Sequence, residues 1–168
     1  MTLKFTYPLS FALISLALSG CASPPFNLEG ANLKSVPQQT LDDSSSLNSR
    51  VVWGGLIVGT RNDKDSSTIE VLSYPLDSSS EPQRSANAQG RFLIKQEGYV
   101  EPATFVSGRW ISAIGVVAGK VEGKVGEADY TYPVMKAENT YLWPEYSAEP
   151  RTQTRFSIGV GVGVGGRH

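Results

Sequence analysis

The chain is poor in the residues that carry most chemistry at neutral pH. Its 168 residues include one cysteine, Cys21, and one histidine, His168, at the last position. A single cysteine excludes an intrachain disulfide, and a single terminal histidine excludes most zinc sites and dependable histidine-based acid–base work. Charged residues are 18% of the chain and nearly balanced, fifteen Lys+Arg against sixteen Asp+Glu. The basic footprint of a protein that neutralises many phosphates is therefore missing, and no nucleic-acid partner is expected. No window sustains an apolar repeat at helical spacing, and no apolar run reaches the roughly 20 residues that a membrane-spanning helix needs. What is present, 40% hydrophobic residues with 17 glycines and 10 prolines, suits one mostly β domain with its own core. No enzyme activity, cofactor or metal site is expected.

Residues 1–20 differ from the rest. Lys4 and the terminal amine are their only charges, and an uncharged apolar stretch runs from Leu9 to Leu18. Ten such residues form the hydrophobic region of an export signal. The stretch ends in Leu18-Ser19-Gly20-Cys21, an order that resembles the bacterial lipobox. Small side chains let the backbone lie extended in a signal peptidase, and the thiol is the nucleophile that takes up a diacylglycerol. Cleavage between Gly20 and Cys21 would leave Cys21 as the first, lipidated residue. The competing reading, a small buried hydrophobe, fits poorly with a position directly after a hydrophobic signal. Acyl chains add about 0.8 kcal/mol per buried CH₂, so two or three together anchor stably. The expected partner is outer-membrane lipid through acyl chains on Cys21, because Ala22 and Ser23 follow where an inner-membrane address has Asp. Removing residues 1–20 takes away Lys4 and no acid, leaving fourteen basic and sixteen acidic residues, net −2.

Residues 21–49, rich in Ser, Pro, Asn and Gln, read as a polar tether, with Val36-Pro37 and Leu41 able to add a short helix or turn. From Arg50 the signals are short strands with glycine and proline punctuation. The first is 51–59, whose Gly54-Gly55 pair suggests coiling or a bulge. A polar connection at 62–67 leads to a second strand at 68–76, with Ile69 and Val71 on one face and Glu70, Leu72 and Tyr74 on the other. After a polar excursion at 77–89 comes a third strand at 90–95, with Phe92 and Ile94 facing together. The fourth, 110–118, is the most apolar; a glycine-rich polar turn at 119–129 precedes the fifth, 132–143. Five coiled strands with these bends predict a small closed barrel of the OB type, a sandwich being the alternative. The expected domain is 50–146, followed by a Gly/Val-rich tail, 147–168.

Several motifs in order carry a family resemblance. Gly55-Leu56-Ile57, Glu70-Val71-Leu72-Ser73-Tyr74-Pro75-Leu76-Asp77, Gly90-Arg91-Phe92-Leu93 and Gly98-Tyr99-Val100-Glu101-Pro102 resemble the Slp family of starvation-inducible outer-membrane lipoproteins. So do Gly108-Arg109-Trp110-Ile111-Ser112-Ala113-Ile114-Gly115, Tyr132-Pro133-Val134 and Leu142-Trp143-Pro144. The resemblance covers about 50–144 plus the lipobox. It implies a lipid-anchored outer-membrane protein facing the periplasm, linked to stationary phase, starvation and acid or envelope stress, with no known catalytic activity to carry over. The tail departs from the family, since some members have a longer aromatic-rich extension.

Other candidate sites have bland explanations. Asp63, Asp65, Ser67 and Glu70 offer alternating oxygen ligands but lack the central glycine and late acid of a calcium loop, so a solvated hairpin loop accounts for them better. Glu97 and Glu101 flank a turn, and paired carboxylates do acid and base work only if they converge. Trp53, Trp110 and Trp143 could stack bases or sugars, but without a basic groove core packing is the better account. Gly119 to Gly126 lacks phosphate-loop spacing and reads as a hairpin turn. The alternating tail from Ile158 to Gly166 could pair with an edge strand, here or on another copy, or remain a flexible end. Beside the structural or stress-protective reading stands a binding module, an OB-like barrel holding an envelope protein, peptide or glycan.

Overall fold

The computed structural model describes residues 24–145. The signal segment, Gly20, Cys21 and the tail from Tyr146 onward, with the edge-pairing reading of Ile158 to Gly166, lie outside the described residues. Five strands form a closed barrel: β1 (Arg50–Asn62), β2 (Ser66–Ser73), β3 (Arg91–Glu97), β4 (Trp110–Val125) and β5 (Ala128–Leu142), in ring order β1-β2-β3-β5-β4. All neighbours are antiparallel except β3 and β5, whose parallel pairing is short, Leu93 to Lys95 against Val134 to Lys136. A five-strand ring with this crossing is the small OB-type barrel expected from the strand pattern.

Alternation supplies the interior. Val51, Trp53 and Ile57 of β1, Ile69 and Val71 of β2, Phe92 and Ile94 of β3, Ile111, Ala113 and Val117 of β4 and Met135 of β5 make one buried cluster. Trp53 meets Phe92 edge-on, with ring centroids 5.3 Å apart. Such narrow closure requires neighbouring backbones to approach closely where strands bend. A Cβ on Gly55 would overlap the Leu72 carbonyl, and one on Gly115 would overlap the Lys136 carbonyl. The register shifts of β1 fall between Ile57 and Gly59, just after the glycine pair rather than at it.

Two expectations are corrected. The segment 119–129 is not a long turn: β4 and β5 continue as a hairpin to Val125 and Ala128, and the turn itself is confined to Gly126-Glu127. Glycine there punctuates a twisted strand, because Gly119 sits at φ +108 at a register shift. The second correction concerns the tether. From Pro24 the chain wraps the barrel instead of spacing it from its anchor. Phe26 is 8% exposed and packs with Val52 and Ile114 on the outer face of β1 and β4, flanked by Leu28, Ala31 and Leu76. Asn32 forms a parallel bridge to Val51, and Ser35 accepts a hydrogen bond from the Trp53 indole at 3.2 Å. The short helix allowed near Pro37 is a 3-10 turn, Pro37–Leu41, followed by another at Ser44–Ser46. From the first, Gln38 donates to the Arg91 carbonyl (2.8 Å) and to the Tyr130 hydroxyl (2.9 Å). It thereby fills the gap where β3 and β5 are not yet paired. The connection at 98–109 closes one end of the barrel, with Phe105 packed on the core and Val100 buried.

Candidate functional site

The long hairpin borders a concavity in the barrel wall. Its strands lean over the outer face of β2 and β3, and the groove between them, about 450 Å³, is of small-ligand size. Thr68 and Glu70 of β2 and Leu93 and Lys95 of β3 form the floor, because they alternate with the inward Ile69, Val71, Phe92 and Ile94. Gly59, Thr60 and Arg61 border one side, and residues 121–124 with Tyr132 form the opposite wall.

Polar contacts hold this groove in shape. Arg91 donates to Glu70 Oε1 at 2.6 Å, both side chains being about seven-tenths buried. The Tyr132 hydroxyl donates to the Lys124 carbonyl at 2.8 Å and lies 3.2 Å from the same Glu70 oxygen. Burial, and secondarily the negative charge of Glu70, raises the Tyr132 phenol above its ordinary value, so it stays protonated at neutral pH. Tyr130 packs edge-on against Tyr132, and its hydroxyl accepts from the Arg91 amide at 2.7 Å. Lys95 donates to Thr68 Oγ1 at 2.7 Å, and Glu122 accepts from Thr131 at 2.7 Å. A protonated phenol, an ion-paired carboxylate and lysines can hold a polar ligand.

Of the residues singled out from sequence, Glu70 and positions 121–124 of the glycine-rich segment line the groove, and the others fall elsewhere. Glu70 stands in the groove, whereas Asp63 pairs with Arg61 on the surface (3.4 Å) and Ser67 turns inward, donating to the Gly98 carbonyl at 2.7 Å. Among the described residues, no three His, Cys, Asp or Glu side chains cluster as metal ligands. Glu97 pairs with Lys136 at 2.8 Å, and that hydrogen bond lowers its pKa; Glu101 accepts from the Ala103 amide in its own turn. They are engaged separately. Trp53 is core. Trp110 packs on Tyr74 and under Arg84, and Trp143 donates to Ser112 Oγ and packs on Tyr141. The three indoles thus form no common platform. Sequence reading did not bring Lys95, Lys124 and Tyr132 together because they come from three strands. The available signal was the Tyr130-Thr131-Tyr132 alternation, which places two phenols on one face.

No solved structure matches the chain. An uncharacterized protein of Haemophilus influenzae is 35% identical over 84% of this chain and 78% of its own length. The uncharacterized lipoprotein YeaY of Escherichia coli is 29% identical over 77% and 68%, and the outer membrane protein Slp of Escherichia coli is 23% identical over 89% and 81%. The family model for the outer membrane lipoprotein Slp family matches residues 18–159, which take in Cys21, the N-terminal wrap and every strand of the barrel, and the chain belongs to that family.

Proposed function

We propose that the chain is a non-catalytic outer-membrane lipoprotein, anchored by acylated Cys21 and facing the periplasm, that protects the envelope in starvation and stationary phase. The observation that supports this most is the extent of the family match, which begins at Leu18 and so includes Leu18-Ser19-Gly20-Cys21 with the whole barrel. The names of the Escherichia coli relatives, a lipoprotein and an outer membrane protein, agree with the anchor and the address. The stress role comes from the family resemblance. The absence of catalysis rests on the single cysteine, used for lipid, and the lone terminal histidine. In the test, Cys21→Ser should abolish palmitate labelling and leave an unprocessed precursor. Unchanged processing and membrane partition in that mutant would refute the anchor. Deletion of the gene should lower survival in acid stationary phase and restoration of the lipidated protein should recover it. Equal survival would remove the stress role.

The groove supports a second reading, a binding module for an envelope protein, peptide or glycan, since β2 and β3 under the β4–β5 hairpin form the ligand face of OB-type barrels generally. Crosslinking in stressed cells, with Lys95→Ala and Tyr132→Phe as comparisons, tests it. A partner captured equally by both variants would place binding elsewhere.

A further inference from the structure

We infer that the anchor seats the barrel directly on the phospholipid surface through the outer face of β1 and β4 with its N-terminal wrap, turning the β2–β3 groove away from the bilayer. This rests on the acylation of Cys21 proposed above. Five residue steps separate Cys21 from Phe26, which is fixed against Val52 and Ile114. Fully extended, five steps span at most about 18 Å. Pro24-Pro25 occupies two of those positions and restricts the backbone of the connection. The headgroup layer on each side of a bilayer takes up roughly 5–8 Å. The wrap is therefore held within about one layer of side chains and water from the lipid surface. A flexible segment across 21–49, as the composition alone suggests, would instead average about 30 Å from end to end and would leave orientation free.

Two neighbouring residues of the wrap suit a phospholipid surface, although the wrap also exposes Glu29, Asp42 and Asp43. Leu33 is 51% exposed beside the exposed Lys34, an apolar side chain and a cation of the kind that enter the interfacial layer and meet lipid phosphates. Leu28, Ala31 and Leu76 lie partly buried around Phe26. In the ring order β1-β2-β3-β5-β4, the strand across the barrel from the β1–β4 seam is β3. Lys95 and Leu93, on the outer face of β3, consequently point to the opposite side from the anchor.

The test uses the full lipidated chain in phosphatidylethanolamine–phosphatidylglycerol vesicles. Cys21 is consumed as a thioether, so Leu33→Cys and Lys95→Cys each supply one thiol for a nitroxide label. Collisions with a water-soluble nickel chelate should be several-fold fewer at position 33 than at position 95. Inserting twenty Gly/Ser residues between Ser23 and Pro24 should erase most of that difference while the protein stays on the vesicles. Equal accessibility at both positions in an acylated chain, or protection at 95 instead, would overturn the orientation, and protection at 33 unchanged by the spacer would overturn the short connection as its cause. A chain that mass spectrometry shows to be unacylated and that floats free of vesicles would overturn the anchor itself.

Discussion

The two outer faces of the barrel are built from the same alternation but end differently. Over the β1–β4 seam the outward residues are Val52 and Ile114, at 1% and 2% exposure as buried as the interior, because Phe26 and its neighbours cover them. Over β2 and β3 the outward residues are Thr68, Glu70, Leu93 and Lys95, and the chain that overhangs them leaves a groove instead of a seal. The difference shows that in this barrel outward apolar residues on adjacent strands, Val52 and Ile114, mark where another segment docks, and an outward row that is polar except for Leu93 marks a surface left for solvent or ligand.

The largest expected effect separates interior from seam. Ile94→Asp places a charge among the fully buried residues of the barrel and should cost several kcal/mol, abolishing the cooperative melt. Ile114→Asp introduces the same group under the wrap, where detachment of residues 24–36 can expose it to water. Its melt should survive at lower temperature, with limited proteolysis now cutting the wrap while circular dichroism stays β-rich. Equal unfolding by both substitutions would mean that wrap and barrel are one cooperative unit.

Next in size is removal of the wrap. A chain starting at Leu47 keeps all five strands but loses Phe26, the Ser35 partner of Trp53 and the Gln38 contacts to Arg91 and Tyr130. Relative to a chain starting at Ala22, it should be about 3 kcal/mol less stable and expose Val52 and Ile114. Denaturant melts and light scattering measure both consequences. Identical stability would reduce the wrap to a tether.

A smaller effect probes the groove. Tyr132→Phe removes the hydrogen bond to the Lys124 carbonyl and should cost about 1 kcal/mol. Because the folded phenol has a raised pKa, it contributes stability that is complete below the ordinary tyrosine value and lost as pH rises through the higher folded value. The wild-type melt should therefore fall more steeply than that of Tyr132→Phe above that ordinary value. Parallel pH profiles would show that Tyr132 is not held by this environment.

The smallest effect belongs to an exposed pair on the hairpin side. Glu97 has its pKa lowered by the Lys136 ammonium, so its contribution is present above the ordinary glutamate value and lost as pH falls through the lower folded value. Both partners are exposed, 82% and 58%, and such pairs are largely screened. Glu97→Gln should leave the melting temperature unchanged within error, and a shift comparable to that of Tyr132→Phe would contradict this.

The order of elements was legible because strand alternation is local. Ile69 and Val71, then Phe92 and Ile94, declare an inward face from their own spacing. The wrap was not legible, since Phe26 and Leu28 are isolated apolar residues in a polar segment and local spacing assigns them no partner. Its one advance sign was apolar side chains at outward parity, Val52 and Ile114. The hairpin was misread for a related reason: glycine usually interrupts a strand, but Gly123 continues β4 opposite Tyr130, and a Cβ there would press on the neighbouring Tyr132 ring, 3.1 Å away.

By itself, then, the sequence determined a charge-poor leader ending at a lone cysteine, five alternating strands and the glycines that let them close, because each depends on neighbours a few residues apart. Only the tertiary structure decided that residues 24–49 belong to the barrel, that Glu70 meets Arg91 and Tyr132, and that a groove opens over β3. The two Glu70 contacts join residues 21 and 62 positions apart, and the free energy of such contacts arises only once closure of the ring has brought the strands together.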